Sequence, residues 1–245
     1  MSSKNNKIKA VVLAGGKGRR LAPYTQIIPK PLMPIGDKPI LEILLRQMKR
    51  AGIREVTLTV GYLADLLRLF FQDGKRLGMK INYVQEKKPL GTSGPLSNVE
   101  GLKDTFLVTN GDVLTTLDFG EIIEYHKAQG AIATIACHKR KVDINLGVVQ
   151  LDKEQRVSGY LEKPSMDYLV SMGVYIFEPR ILQYIPKDTY LDFPDLVLKL
   201  VAAGEKVCGY VFKGYWEDLG RPDDYERASA DFETMRDQFL PEDNK

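Results

Sequence analysis

Apolar positions in the first half of the chain follow two alternating rhythms. Ile8 to Leu13, with Val11 and Val12 inside it, is a short continuous apolar run of the kind a strand buried on both faces requires. Pro39 to Gly52 instead places Ile40, Ile43, Leu44, Met48 and Ala51 at helical spacing, with Pro39 suited to a first turn and Gly52 to a C-terminal cap. Glu55 to Val60 predicts another strand, Ala64 to Gly78 another helix, and Ile81 to Gln85 a third strand. Phe106 to Thr109 predicts a fourth, ending at Asn110-Gly111-Asp112. This alternation is the pattern of a parallel sheet covered by helices on both faces.

From Ala131 the rhythm changes. Strand-like segments at Ile132 to Cys137, Gly147 to Leu151, Val157 to Leu161 and Val174 to Phe177 follow one another with few helical stretches between them. Phe193 to Ala203 and Asp223 to Met235 read as late helices, and Val207 to Phe212 as one more strand. The fold class expected is therefore α/β: a Rossmann-like, three-layer arrangement around a mixed, mostly parallel central sheet. No linker rich in Pro, Gly or Ser interrupts the pattern, so residues 1–240 are expected to form a single domain, with Pro241 to Lys245 as a frayed tail.

Composition narrows the function classes. The 35 basic and 32 acidic residues are interspersed and leave a net charge of only +3, which speaks against a nucleic-acid groove. Cys137 and Cys208 have no ligand spacing and read as buried thiols of a reducing compartment. The start, Met1 to Lys7, is polar, and no run approaches the roughly 18 apolar residues of a membrane span. A soluble, cytoplasmic protein with no membrane partner is the expectation. A homo-oligomer stays open, since no apolar stripe marks an interface.

The chemistry concentrates directly after the first strand. In Leu13-Ala14-Gly15-Gly16-Lys17-Gly18-Arg19-Arg20-Leu21 three glycines let the backbone turn tightly and aim N–H groups at phosphate oxygens, and Arg20 and Lys30 supply positive charge. A P-loop would need Gly-Lys-Ser/Thr, and a dinucleotide fingerprint a third small residue where Leu21 stands, so neither fits. Asp112 closes an apparent buried strand, where open α/β sheets place their ligands. His126, on a predicted helix, and His138 have no nucleophile pattern near them.

Together with Pro23, Thr25, Pro31, Pro89-Leu90-Gly91-Thr92, Asn110-Gly111-Asp112, Glu162-Lys163-Pro164 and Trp216-Glu217-Asp218-Leu219-Gly220, the glycine loop resembles the sugar-1-phosphate nucleotidyltransferases. That resemblance implies a nucleoside triphosphate and a sugar 1-phosphate as substrates, pyrophosphate release, and Mg²⁺ as cofactor. It gives Arg20 the β- and γ-phosphates, Lys30 the α-phosphate, and Asp112 a metal-binding role shared with Asp218. Leu13, Gly15, Gly16, Gly18, Gln85, Gly91 and Thr92 would line the nucleotide, with Gln85 reading the base. Gly147, Glu162, Lys163 and Gly173 would hold the sugar phosphate. The run Pro89 to Leu96 is similar to the base loop of mannose and heptose 1-phosphate guanylyltransferases, which favours GTP and a mannose- or heptose-type sugar. A uridylyl- or thymidylyltransferase acting on glucose 1-phosphate is the enzyme alternative, and a noncatalytic sugar-nucleotide sensor the alternative of another class. Arg19, Leu146 and Met172 depart from the family pattern, the first adding a cation to the loop and the others bordering the expected sugar pocket. The chain carries no hexapeptide repeat, so the β-helix domain of longer relatives is not expected.

Overall fold

The computed structural model describes residues 8–241. In chain order the elements begin with β1 (Lys9–Ala14), β2 (Pro34–Ile35), β3 (Lys38–Pro39), α1 (Ile40–Arg50), β4 (Glu55–Val60), α2 (Ala64–Phe71) and β5 (Lys80–Gln85). They continue with β6 (Phe106–Asn110), β7 (Val113–Thr115), α3 (Phe119–Gln129), β8 (Ala133–Asp143), β9 (Val148–Leu151) and β10 (Val157–Leu161). The last are β11 (Ser165–Phe177), α4 (Phe193–Ala202), β12 (Val207–Phe212), β13 (Trp216–Asp218) and α5 (Pro222–Phe239).

Seven strands form the central sheet in the order β12-β8-β11-β6-β1-β4-β5. Within it β11 alone runs antiparallel to its neighbours, so the mostly parallel mixed sheet expected from the sequence is the one observed. Alternate residues of β1 enter different cores. Ala10, Val12 and Ala14 pack with Leu44, Leu67 and Phe119 of the helices on one face, while Val11 packs with Leu96, Phe193 and Leu196 on the other. That division is the physical content of a three-layer fold, and it explains why β1 carries no polar alternation. A third cluster, including Ile35, Leu219, Phe232 and Phe239, ties α5 to the segment after β13.

Several boundaries differ from the expectation. The second helix stops at Phe71 rather than running to Gly78, because Gln72 and Gly74 take left-handed φ values of 49° and 82°; Lys75–Leu77 forms a separate 3₁₀ turn. β8 and β11 are longer than predicted, and their outer halves, with β9 and β10, make an arm exposed on most of its residues. Exposure on both faces removes the apolar alternation that would have revealed it. Beyond Pro241 the expected tail lies outside the described residues. No helix among the described residues is long and apolar enough to cross a membrane.

The topology itself creates a crevice. The chain leaves β1 towards β4 and β5, then returns to place β6 on the opposite side of β1, so connections diverge at the β1–β6 boundary. Open α/β sheets bind ligands at that switch point, outside the carboxyl ends of the strands.

Candidate functional site

A cleft of about 880 Å³ opens over the carboxyl ends of β1, β4, β5 and β6. Of the residues singled out in the sequence, Leu13, Gly15, Gly16, Gly18, Arg20, Lys30, Gly91, Thr92 and Asp112 line it.

The glycines have different reasons for being glycines. Gly18 has φ +58°, and a Cβ there would stand 2.9 Å from Thr25 Cγ2; Thr25 Oγ1 in turn donates to the Gly18 carbonyl at 2.8 Å. At Gly15 a side chain would meet the Glu86 carboxylate at 2.5 Å. Gly16, by contrast, has nothing within 4 Å of where its Cβ would be, so its open side is the cleft itself. The loop turns into the 3₁₀ segment Arg19–Leu21, anchored by buried Leu21 and leaving Arg19 and Arg20 exposed on the cleft.

Beside this loop, Asp112 and Asp218 meet through an antiparallel ladder. β7 pairs with β13 in the register Val113↔Asp218, which brings Asp218 beside the residue preceding Val113. Gly111 N donates to the Leu13 carbonyl at 2.9 Å, docking the turn after β6 against the end of β1. Lys30 lies between the two acids. Its ammonium donates to Asp112 Oδ2 and stands 3.7 Å from Asp218 Oδ1, with only 11% of its side chain exposed. Asp112 Oδ1 is buried with no hydrogen-bond partner. Burial, with the Asp112 carboxylate opposite, pushes the Asp218 carboxyl above its usual range, while Lys30 and Arg20 pull it back down. Arg20 also borders Gly220, where a Cβ would come 3.2 Å from its Nη1.

These features fit a divalent cation. Two converging carboxylates, one with an orphaned buried oxygen, already hold a cation in Lys30, and hard oxygen donors are what Mg²⁺ takes. Among the described residues no group of three or more His, Cys, Asp or Glu side chains is gathered for a metal. A metal here would therefore draw its remaining ligands from phosphate oxygens or water.

Gln85 is not part of the cleft lining. Its Oε1 accepts from Arg68 Nη2 at 3.0 Å, with the same guanidinium 5.1 Å from the centre of the Tyr83 ring, while its Nε2 donates to the Gly61 carbonyl at 3.5 Å, so Gln85 spans from α2 to the backbone at the rim of the cleft. The next residue, Glu86, lines the cleft instead, between Gly15 and the loop that begins at Pro89. Its carboxyl is raised by burial, and Leu90 N approaches its Oε2 at 3.5 Å. Strand parity puts residues 83 and 85 on one face, so the Tyr83 ring and Gln85 both meet Arg68.

The expected sugar-phosphate residues are not brought into the cleft lining. Gly147, Glu162 and Lys163 lie on the exposed arm; Glu162 and Lys163 are 3.9 Å apart, and a side chain on Gly147 would collide with the Tyr160 hydroxyl. Gly173 borders the cleft indirectly. With φ +71° it sits at the irregularity in β11, and its Cβ would stand 2.6 Å from Nδ2 of Asn110, a lining residue.

The chain is similar to known proteins over most of its length. A family model described as nucleotidyl transferase matches residues 9–235. The mannose-1-phosphate guanylyltransferase of Mycobacterium tuberculosis is 39% identical over 233 residues, covering 92% of this chain and 65% of its own length. A UTP–glucose-1-phosphate uridylyltransferase of Synechocystis is 35% identical over 241 residues, covering 90% of this chain and 62% of its own. The chain thus spans somewhat less than two thirds of the length of these relatives. Among solved structures, HddC from Yersinia pseudotuberculosis complexed with GMP-PN superposes with a TM-score of 0.70 at 28% identity, covering 92% of this chain and 99% of that one.

Proposed function

The chain belongs to the nucleotidyl transferase family, and we propose that it condenses a nucleoside triphosphate with a sugar 1-phosphate to give a sugar nucleotide and pyrophosphate. The observation that carries this reading is Lys30 held between Asp112 and Asp218 at the mouth of the glycine loop. Such a site concentrates fixed charge where a triphosphate would have to be bent, neutralised and aligned.

A phosphate oxygen of the sugar 1-phosphate attacks the α-phosphorus, the bond from that phosphorus to the bridging oxygen of the leaving group breaks, and pyrophosphate departs with the electron pair. Alignment and charge stabilisation supply the catalysis, since the nucleophile is already an anion and needs no strong base. Lys30 offers a compact positive charge to the α-phosphate as charge redistributes there. Arg20, exposed on the cleft beside Gly220, has the planar fork suited to β- and γ-oxygens. The backbone of Gly15, Gly16 and Gly18 brings the loop close to the phosphates. Asp112 and Asp218 would hold Mg²⁺, which when bound supplies further neutralisation of phosphate oxygens. The sugar 1-phosphate is assigned to the side of Asn110 and Gly173, beyond which the arm carries Gly147, Glu162 and Lys163.

GTP is the nucleotide we favour, with a mannose- or heptose-type acceptor and the cytoplasm as the setting; the free thiols of Cys137 and Cys208 suit a reducing compartment. Glu86 supports the base assignment. A carboxylate only accepts hydrogen bonds when ionised, and guanine offers two adjacent donors, its N1–H and its 2-amino group, where uracil and thymine offer one. The mannose-1-phosphate guanylyltransferase at 39% identity points the same way, whereas the uridylyltransferase at 35% keeps UTP as the competing reading. Initial rates with GTP, UTP, dTTP, CTP and ATP, each against mannose, glucose, fucose and heptose 1-phosphates, decide between them. Highest kcat/KM with GTP is expected, and a preference for UTP or dTTP would overturn the base assignment while leaving the reaction class intact.

A further inference from the structure

On the cleft wall formed by Gly91 and Thr92, the chain folds a segment of its second half against the base loop. Asp192 Oδ1 accepts from both Thr92 N, at 2.8 Å, and Thr92 Oγ1, at 3.1 Å, and Thr92 Oγ1 accepts in turn from Phe193 N at 2.8 Å. The Leu191 carbonyl takes Ser93 N, Gly94 N and Ser93 Oγ, at 2.9, 3.0 and 2.9 Å. Gly91 and Gly94 permit this docking: side chains there would come 2.6 Å from the Leu191 carbonyl and 2.5 Å from that of Thr189.

At the edge of this clamp stands Tyr190. Its hydroxyl donates to Asp192 Oδ2 at 2.7 Å, so the ring is tethered at its far end, yet 61% of the residue is exposed and it lines the cleft. An aromatic ring fixed by its polar tip and left bare along its face has already lost much of the rotamer freedom that stacking would otherwise cost. Asp192 is committed as an acceptor on both oxygens, and its carboxyl is accordingly held below the usual carboxylate range, first by the Tyr190 hydroxyl.

Resting on the nucleoside triphosphate reading of the cleft, we propose that Tyr190 packs its ring against the nucleoside of that triphosphate, and that Asp192 is the positioning residue that holds both the ring and the base loop in place. The nucleotide site is then completed by the second half of the chain. Base-ring packing is tolerant of base identity because every base presents a π face, so Tyr190 serves affinity for nucleosides in general and leaves choice among them to Glu86 and the loop backbone.

Calorimetric titration of the full chain with GTP and, separately, with inorganic tripolyphosphate tests this without requiring turnover. Tyr190→Ala is expected to weaken GTP at least about fivefold, the low end of what base–aromatic stacking contributes, and to leave tripolyphosphate unchanged. Asp192→Ala is expected to weaken GTP similarly. Asp192→Asn, which can still accept from Thr92 and can donate to the Tyr190 oxygen, restores most of the loss. Unchanged GTP binding in Tyr190→Ala, or an equal loss of GTP and tripolyphosphate, would overturn the assignment while leaving the triphosphate site standing. Failure of the wild-type protein to bind any nucleoside triphosphate would overturn the site reading and this inference together. Thermal melting of each variant separates a lost contact from a lost fold: an Asp192→Ala protein that melts well below Asp192→Asn sends the decision to Tyr190→Ala, whose side chain is mostly in solvent.

Discussion

Replacing Lys30 with methionine keeps an unbranched side chain one atom shorter and removes the charge from between Asp112 and Asp218. Two opposed effects follow. At 3.7 Å the attraction between Lys30 and Asp218 is about 4 kcal/mol at an effective dielectric of about 20. Asp218 is 42% exposed, and solvent screening leaves on the order of 1–2 kcal/mol of that. The bond to Asp112 adds to the occupancy of the carboxylate pair by the ammonium. A divalent cation at the pair competes with Lys30, so its half-saturating concentration is expected to fall on the order of tenfold in Lys30→Met. Turnover is expected to move the other way. Loss of a preorganised charge that acts on the transition state costs roughly 10² to 10³ in rate, so kcat/KM should fall by about 10² or more. The assay is pyrophosphate release across a Mg²⁺ titration, with circular dichroism to show that the fold is kept. A fall in kcat/KM of less than about threefold would remove Lys30 from the chemistry, and a higher Mg²⁺ requirement in the variant would refute the competition on which the argument rests.

Glu86→Gln should lower kcat/KM for GTP by about 10- to 100-fold, the order of one lost bidentate base contact, while activity with UTP changes less; equal losses with both would show that Glu86 does not read the base. Gly16→Ala and Gly18→Ala separate ligand contact from folding. Gly16→Ala should leave Tm unchanged and raise KM for the nucleotide, because its Cβ meets nothing in the protein within 4 Å. Gly18→Ala, at φ +58° and 2.9 Å from Thr25 Cγ2, should cost about 1–2 kcal/mol in backbone conformation alone and lower Tm by roughly 2–8 °C; a larger fall in Gly16→Ala than in Gly18→Ala would reverse the assignment. Buried His126 bonds Thr134 at 2.8 Å and Glu178 at 3.2 Å, and burial holds its imidazole below the usual value against the pull of Glu178. The unfolded chain therefore binds a proton first, so stability is full above about pH 6.5 and falls on acidification. His126→Gln should flatten that slope in urea unfolding between about pH 7 and 5, and an unchanged slope would remove His126 as its source.

The strands β1 and β4 were legible because both faces are buried, which leaves a continuous apolar run in β1 and Val or Leu alternating with Thr in β4. The glycine loop was legible for the complementary reason, since three glycines beside cations have few structural uses at the end of such a strand. The outer halves of β8 and β11 were not, because Lys139 to Asp143 and Ser165 to Leu169 are exposed and free of the periodicity that burial imposes. β7 and β13, three residues each, are too short to carry a pattern, yet their register is what places Asp218 beside Asp112. Resemblance had linked those two acids in one role, but the physical means of bringing them together appears only in three dimensions. Base reading is expected of Gln85 from its capacity to donate and accept; in the fold Gln85 bonds Arg68 and the Gly61 carbonyl, and Glu86, which carried no sequence signal, lines the cleft. Tyr190 and Asp192 carried no motif at all. Their relation to Thr92 spans about a hundred residues and depends on how α4 begins.

Formation of a sugar nucleotide and pyrophosphate in equal amounts, followed by ³¹P NMR with Mg²⁺, GTP and mannose 1-phosphate, tests the central claim most directly, with the other nucleotides and sugar 1-phosphates run in parallel. The account predicts a diphosphate-linked product appearing with pyrophosphate for at least one pairing, and both signals growing about a hundredfold or more slowly in Lys30→Met. Nucleotide binding with no product from any pairing would contradict it.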